Sequence, residues 1–148
     1  MSFRHLSPND YSQYYPLINS FRKTSFTEEQ FRTFVNTLPS NLEIWVLEKN
    51  GTLVATGTLI YEPKLIFDIC TYAHVEDVCV LESERKNKVG SALVQHLMKV
   101  ANEKGCHKIT LDCAESTAPF YLKNGLEQRG VQCCQLLDRG LNHSSTHT

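Results

Sequence analysis

No stretch of this chain approaches the roughly 18 apolar residues that a membrane span requires, and the amino terminus has no apolar core of a secretory signal. A cytoplasmic protein without a membrane segment is therefore expected. Charge is nearly balanced, 15 Lys and Arg against 16 Asp and Glu for a formal net charge of -1. That excludes nucleic-acid binding driven by overall charge, so any basic site must be local. The six cysteines, Cys70, Cys79, Cys106, Cys113, Cys133 and Cys134, contain no Cys-x-x-Cys pair. Cys79 and Cys113 fall inside apolar strand patterns, which points to buried or half-buried free thiols rather than a disulfide framework. The histidines show no metal-site spacing, and no metal is expected. Internal repeats and interdomain linkers are absent too. With 148 residues, 41% hydrophobic and 21% charged, the chain fits one soluble domain. Residues 1–138 would form it, and 139–148 read as a disordered polar tail.

The elements can be taken in order. Phe3 to Leu6 is a short strand stopped by Ser7-Pro8-Asn9-Asp10. Tyr11, Tyr15, Ile18 and Phe21 recur at helical spacing, predicting a helix from Tyr11 to about Arg22 whose regularity Pro16 limits. Thr27-Glu28-Glu29-Gln30 is a capping-box pattern, starting a helix that carries Phe31, Phe34, Val35 and Leu38 and ends before Pro39. Strands Leu42 to Glu48 and Thr52 to Tyr61 flank Asn50-Gly51, a hairpin signal. Glu62-Pro63-Lys64 should break the second strand, and Leu65 to Tyr72 is an apolar connection. After Cys113, Glu115 to Asn124 reads as a short helix ending at Asn124-Gly125. A last hairpin-like pair, near Leu126 to Gln128 and Val131 to Leu137, would close the fold.

The stretch from Ala73 to Cys113 organises the rest. An apolar-rich strand, His74 to Leu81, leads through the charged loop Glu82 to Lys88 into a helix striped by Val89, Leu93, Leu97 and Val100. Gly105 ends that helix, and Ile109, Leu111 and Cys113 then alternate as a strand. The first N–H groups of a helix lack internal partners and lie at the positive end of its dipole, so a small-residue entrance suits an anion. Here the entrance is Arg85-Lys86-Asn87-Lys88-Val89-Gly90-Ser91, with three cations in four residues and Gly90 admitting close approach. The plain alternative is a solvated charged turn before an ordinary helix.

This loop resembles the pyrophosphate loop of the GNAT superfamily of acetyl-CoA-dependent N-acyltransferases, whose pattern is Arg/Gln-x-x-Gly-x-Gly/Ala. Arg85 and Gly90 match, while Lys88 stands where the first Gly usually is. The element order resembles that architecture along nearly the whole chain. Four further blocks resemble the glucosamine 6-phosphate N-acetyltransferase family: Ala55-Thr56-Gly57-Thr58-Leu59; His74-Val75-Glu76-Asp77-Val78; Gly105-Cys106-His107-Lys108-Ile109 with Leu111-Asp112-Cys113; and Phe120-Tyr121 followed by Asn124-Gly125. The resemblance implies an α/β GNAT fold. Its central mixed sheet would have six or seven strands, splayed between the fourth and fifth, with about four helices. The implied activity is acetyl transfer from acetyl-CoA to the 2-amino group of glucosamine 6-phosphate by direct attack, a step of UDP-N-acetylglucosamine biosynthesis.

Several roles follow from the resemblance. The loop would hold the cofactor's diphosphate, and its pantetheine arm would add to the strand edge through backbone groups of Val78, Cys79 and Val80. An N–H there would also polarise the thioester carbonyl. Tyr121 would give a proton to the leaving thiolate. Thr117, Phe120 and Lys123 join the cofactor contacts, with Phe120 read as core. Glu76, Asp77 and Asp112 would line the acceptor site, Glu76 and Asp112 being grouped with Tyr121 as catalytic; surface carboxylates are the alternative. By the period of two, Glu76 and Asp77 should point to opposite faces.

The chain also departs from the family. Thr117 and Pro119 replace the usual surroundings of a CoA-contacting Asn. The family's basic residue in the last strand, donated across a dimer to the sugar phosphate, is matched by Leu136. The phosphate would fall instead to Arg22 and Lys23, or to Arg139 after a shift; otherwise Arg22 and Lys23 are a solvated helix end. A homodimer is implied, built through Val131 to Leu137. Rival readings are a GNAT enzyme for another amine (polyamine, amino acid or protein terminus) and a non-catalytic acyl-CoA-binding module.

Overall fold

The computed structural model describes residues 1–139. Apart from Arg139, the polar tail expected from 139 onward lies outside the described residues. Contacts divide the chain into one compact unit, Met1–Leu111, and a second beginning at Asp112.

The first unit is a five-stranded sheet in the order β1-β2-β3-β4-β5. β1 (Ser2–His5), β2 (Leu42–Lys49), β3 (Thr52–Lys64) and β4 (Cys70–Val80) pair antiparallel, and β5 (Lys108–Leu111) joins β4 in parallel. Such a parallel step needs a crossover, and α4 (Val89–Glu103) provides it. Its expected stripe is what is buried: Val89, Leu93 and Leu97 are fully covered, with Val100 beside them. These side chains meet Leu47, Ala55, Leu59 and Val75 on one face of the sheet.

The opposite face carries α1 (Tyr11–Phe21) and α2 (Glu28–Asn36). α2 begins as its sequence dictates, Thr27 Oγ1 accepting from Gln30 N and Gln30 Oε1 from Thr27 N, an arrangement that stabilises a helix by about 1 kcal/mol. In α1 the residues turned fully inward are Tyr14 and Leu17. Tyr11, Ile18 and Phe21, from the expected stripe, flank them half-buried.

Four expectations need correction. β3 continues through Pro63 to Lys64, with Pro63 opposite Thr71. Beyond Ile60 it has no β2 partner, and a strand paired on one side tolerates a residue without an N–H. The sheet has five strands rather than six or seven, because the expected last hairpin does not form among the described residues. Residues 126–139 form no strand, and Val131, Leu136 and Leu137 stay exposed; an apolar alternation becomes a strand only where a ladder forms beside it. Cys133 and Cys134 are exposed, although Cys79 is buried as expected. The apolar connection after β3 is shorter than expected, a tight turn α3 (Ile66–Ile69) whose Phe67, Asp68 and Ile69 lie at positive φ, outside right-handed helical geometry, and β4 already begins at Cys70.

Candidate functional site

At the entrance of α4, Lys88 adopts φ 59° and ψ 20°, the left-handed conformation that favours glycine. This explains geometrically why a glycine is usual there. The chain reaches it through a tight turn at Glu82–Asn87, which Glu84 holds by accepting from Lys49 Nζ at 3.0 Å and from Asn87 Nδ2 at 2.9 Å. Asn87 thus spends its amide inside the loop. Lys86 and Lys88 are exposed. The N-cap residue Lys88 makes no side-chain capping bond, and no acid occupies the first turn of α4. The donor set at Val89, Gly90 and Ser91 therefore fits a diphosphate, with basic neighbours adding attraction.

Beside this entrance the sheet opens. β5 pairs only with Tyr72 to Val75 of β4, so from Asp77 to Val80 the far edge of β4 has no strand neighbour among the described residues. This is the expected splay, and it leaves backbone groups of Val78 and Val80 on an edge open to an extended amide-bearing chain. Val80 O is engaged by Arg85 Nε at 3.2 Å. Cys79 belongs to this stretch through its backbone alone: its buried Sγ donates to Leu17 O at 3.3 Å and lies 3.4 Å from Ser20 Oγ. Burial pushes that thiol up, away from thiolate chemistry, with Ser20 and Arg85 pulling back.

The pleat of β4 is interrupted at the acids. Thr56 pairs with Cys79 but Thr58 with Glu76, so Asp77 and Val78 together face the single residue Gly57. Asp77 takes φ 52°. This β-bulge cancels the alternation that would have put Glu76 and Asp77 on opposite faces: both line one cavity of about 550 Å³ between the sheet and the two amino-terminal helices. Asp77 is exposed, yet the surrounding protein raises its carboxyl above the usual range, while the charge of Arg22 pulls it back.

Arg22 lines the same cavity. Its Nη1 donates to Phe21 O at 3.2 Å and its guanidinium lies over the Phe21 ring. Its Nη2 is buried without a hydrogen-bond partner among the described residues, an arrangement that leaves a buried charge wanting an anion. Lys23, offered with it, is exposed and does not line the cavity.

The aromatic wall of this cavity, Tyr14, Phe21, Phe26, Phe31 and Phe34, was not among the site residues read from the sequence. Phe21 and Phe31 were visible as apolar helix positions. What made them a cavity wall instead of solid core is the spacing of α1 and α2 from the sheet, which periodicity does not encode.

The second unit begins with Asp112, exposed directly after β5. A short 3-10 turn, Glu115–Thr117, runs into α5 (Ala118–Lys123), with Pro119 in its first turn. Thr117 Oγ1 donates to Ala114 O at 2.9 Å, closing that turn. Tyr121 is half-buried, and Phe120, expected as core, is only half-buried too, edge-on to Tyr121 at 5.0 Å. Burial, reinforced by Cys113, pushes the Tyr121 hydroxyl above the ordinary phenol range. It therefore stays protonated through neutral pH, as a proton donor must. Asn124 Nδ2 donates to Phe120 O at 2.9 Å and fixes the end of α5. Lys123 is exposed, and so is Arg139, which donates to Asp138 O.

Among the described residues no group of three or more His, Cys, Asp or Glu is placed to hold a metal, and no helix is long and apolar enough to cross a membrane.

Comparison with known proteins adds independent findings. Residues 8–126 match the acetyltransferase (GNAT) family. The chain is 36% identical over 139 residues to a glucosamine 6-phosphate N-acetyltransferase of Candida albicans, covering 88% of this chain and 92% of the relative. It is 30% identical over 138 residues to the corresponding protein of Dictyostelium discoideum, covering 89% and 88%. The crystal structure of the Arabidopsis thaliana enzyme of that name superposes with a TM-score of 0.85 at 29% identity, covering 93% of this chain and 98% of the other. An acetyltransferase of Trypanosoma brucei gives 0.84 at 26% identity, covering 92% and 99%.

Proposed function

The chain belongs to the GNAT acetyltransferases and, among them, to the glucosamine 6-phosphate N-acetyltransferase family, and on that premise we propose that acetyl-CoA is its donor and the β4 cavity its acceptor site. It is an enzyme that acetylates the 2-amino group of glucosamine 6-phosphate, giving N-acetylglucosamine 6-phosphate. The observation that carries the placement is the bulge at Asp77, which brings Glu76 and Asp77 to one cavity that Arg22, at the end of α1, also lines, in the same unit as the helix entrance and the open strand edge.

Acetyl-CoA supplies an activated acyl group on a thiol leaving group. The α4 entrance, with Val89, Gly90 and Ser91 as N–H donors and Arg85, Lys86 and Lys88 as cations, would hold its diphosphate. The backbone of Val78 and Val80 would align the arm that follows, with Arg85 released from Val80 O to join the phosphates. Asn87, Thr117, Phe120 and Lys123 complete the proposed contacts. Arg22 would bind the sugar phosphate, taking the role left open by Leu136, with Lys23 and Arg139 as outlying cations.

Glu76 and Asp77 would orient the amine and draw its proton toward water; the raised affinity of Asp77 for protons suits that role. Asp112 is the third acceptor-side group, through its backbone carbonyl. As the new C–N bond forms and the C–S bond breaks, the amine loses a proton to water. The departing sulfur gains one from Tyr121, which is then reprotonated by solvent. The protein's task is thus positioning and proton management.

The same reading treats residues 1–138 as one catalytic domain working in the cytoplasm. It pairs two copies through the exposed apolar side chains of Val131, Leu136 and Leu137. Sedimentation at micromolar concentration tests the pairing, and a monomer there removes it. The enzymatic test is release of free thiol from acetyl-CoA with glucosamine 6-phosphate, with glucosamine and spermidine as controls. Release only with the sugar phosphate supports the reading. Release with spermidine alone overturns the acceptor assignment.

A further inference from the structure

The cavity beside Glu76 and Asp77 has, besides the groups assigned to the amino sugar, an apolar wall that such a sugar would not use. A hexosamine phosphate presents hydroxyl groups around its ring, each of which needs a hydrogen-bond partner when buried. The walls supply few. Gln30 Oε1 is already the acceptor of its own capping box, and Thr58 is almost wholly covered. Most of the lining is hydrocarbon and aromatic: Phe26 stacks on Phe31 with centroids 6.0 Å apart, Tyr14 lies 5.8 Å from Phe31, and Phe34 closes the side nearest solvent. About 550 Å³ bounded in this way is a pocket for an apolar side chain.

The polar groups are few and asymmetric. Arg22 offers a buried Nη2 with no partner among the described residues. Asp77 senses the charge of Arg22, so the cationic and anionic groups lie within electrostatic range of each other in the same cavity. A ligand matching this set carries an anion for Arg22, an amine for the carboxylates and an apolar group for the aromatic wall. An α-amino acid with a large apolar side chain has all three on one carbon.

We propose that this enzyme also acetylates apolar α-amino acids, phenylalanine and leucine foremost, in the cavity it uses for the amino sugar. The inference rests on the acceptor placement made above. The carboxylate draws the Arg22 guanidinium inward, toward the amine, and the side chain lies along Phe26, Phe31 and Phe34. The neutral α-amine attacks the thioester carbonyl, a C–N bond forms, the C–S bond breaks, one amine proton leaves to water and the thiolate is protonated. N-acetylphenylalanine and CoA are the products, and no further reactant is required.

The test is thiol release from acetyl-CoA with phenylalanine, leucine, alanine, glycine, 2-phenylethylamine and glucosamine 6-phosphate as separate acceptors, with the N-acetyl products identified by mass. A side chain entering the aromatic wall should make kcat/KM for phenylalanine at least about tenfold that for alanine. The carboxylate should make phenylalanine at least about tenfold better than 2-phenylethylamine, since charge-assisted bonds to Arg22 are lost with it. Arg22→Met should bring that second ratio to about one. Because it is a ratio within one variant, partial loss of folded protein does not alter it, and the alanine comparison needs no variant.

Turnover of glucosamine 6-phosphate with none of phenylalanine or leucine overturns the inference and leaves the amino-sugar reading standing. Turnover of phenylalanine alone does the reverse. Equal rates for phenylalanine and alanine, or an unchanged ratio in Arg22→Met, also overturn the inference.

Discussion

Gly57→Ala perturbs the point on which the whole site is registered. Gly57 lies on the central strand β3 opposite the two-residue bulge of β4. A Cβ placed there would stand 2.9 Å from Leu97 Cδ1, 3.6 Å from Leu93 Cδ2 and 3.7 Å from Val78 Cγ2. The first contact is shorter than side chains tolerate, and both leucines are fully buried. Leu97 is enclosed on all sides, so turning its end away displaces other packed side chains, and the strain is expected to pass to α4 or β4. Overpacking of this kind costs about 1–3 kcal/mol, or roughly 2–12 °C in Tm at about 2–4 °C per kcal/mol for a chain of this size.

The functional signature is more specific. α4 carries the proposed diphosphate entrance at its first turn, so on that reading KM for acetyl-CoA should rise more than KM for the acceptor. Urea denaturation and steady-state thiol release measure the two effects. Leu97→Val removes the atom that is struck, and the double variant should recover at least about 1 kcal/mol relative to the sum of the single changes. Strict additivity, or a Gly57→Ala protein as stable as the parent, refutes the claim that close approach at Gly57 sets the height of α4 over the sheet.

Three other outcomes are expected. Tyr121→Phe should lower kcat by about 10²-fold or more with little change in acetyl-CoA affinity measured by calorimetry; equal losses in both count against its acid role. Lys88→Gly relieves a left-handed conformation worth about 1–2 kcal/mol and loses about 0.4–1 kcal/mol through the freer unfolded chain. Urea midpoints should show an unchanged or slightly more stable protein, and clear destabilisation would contradict the geometry. Asp10 is largely covered, and burial alone would raise its carboxyl, but Arg4 at 2.8 Å and the Ser7 N–H hold it below the usual range. A depressed carboxylate contributes stability above its unfolded value of about 3.9, lost as pH falls through the folded value. Asp10→Asn should therefore be less stable at pH 7 and show a flatter stability profile below about pH 4, and parallel profiles would sink this assignment.

The local signals were legible wherever the chain solves its own chemistry nearby. Thr27 and Gln30 satisfy each other's backbone within one turn, Asn50-Gly51 bends at positive φ between β2 and β3, and Gly105 ends α4 with φ 76°. The stripe from Val89 to Val100 likewise needs only one surface to bury it. The basic loop and the open edge of β4 could be placed because they follow from one strand and one helix. Asp77 shows where such reading stops. Its period-two assignment was sound for an unbroken strand, but the bulge arises from the register of β4 against β3 and from the height of α4, which no short segment contains. Pro63 and the stretch from Leu126 to Leu137 fail for the same reason: whether a residue sequence is a strand depends on whether a neighbour is there to pair with it.

The open edge of β4 is also a hazard. From Asp77 to Val80 the side of β4 turned away from β3 has no ladder partner among the described residues, and such an edge can recruit another chain into a growing sheet. The bulge at Asp77 roughens this template and Arg85 occupies one of its carbonyls, yet neither closes it. A donor bound there as proposed would. On that reading the enzyme should keep longest, and precipitate least, in acetyl-CoA or CoA, so that one ligand would guard the sheet as well as feed the reaction.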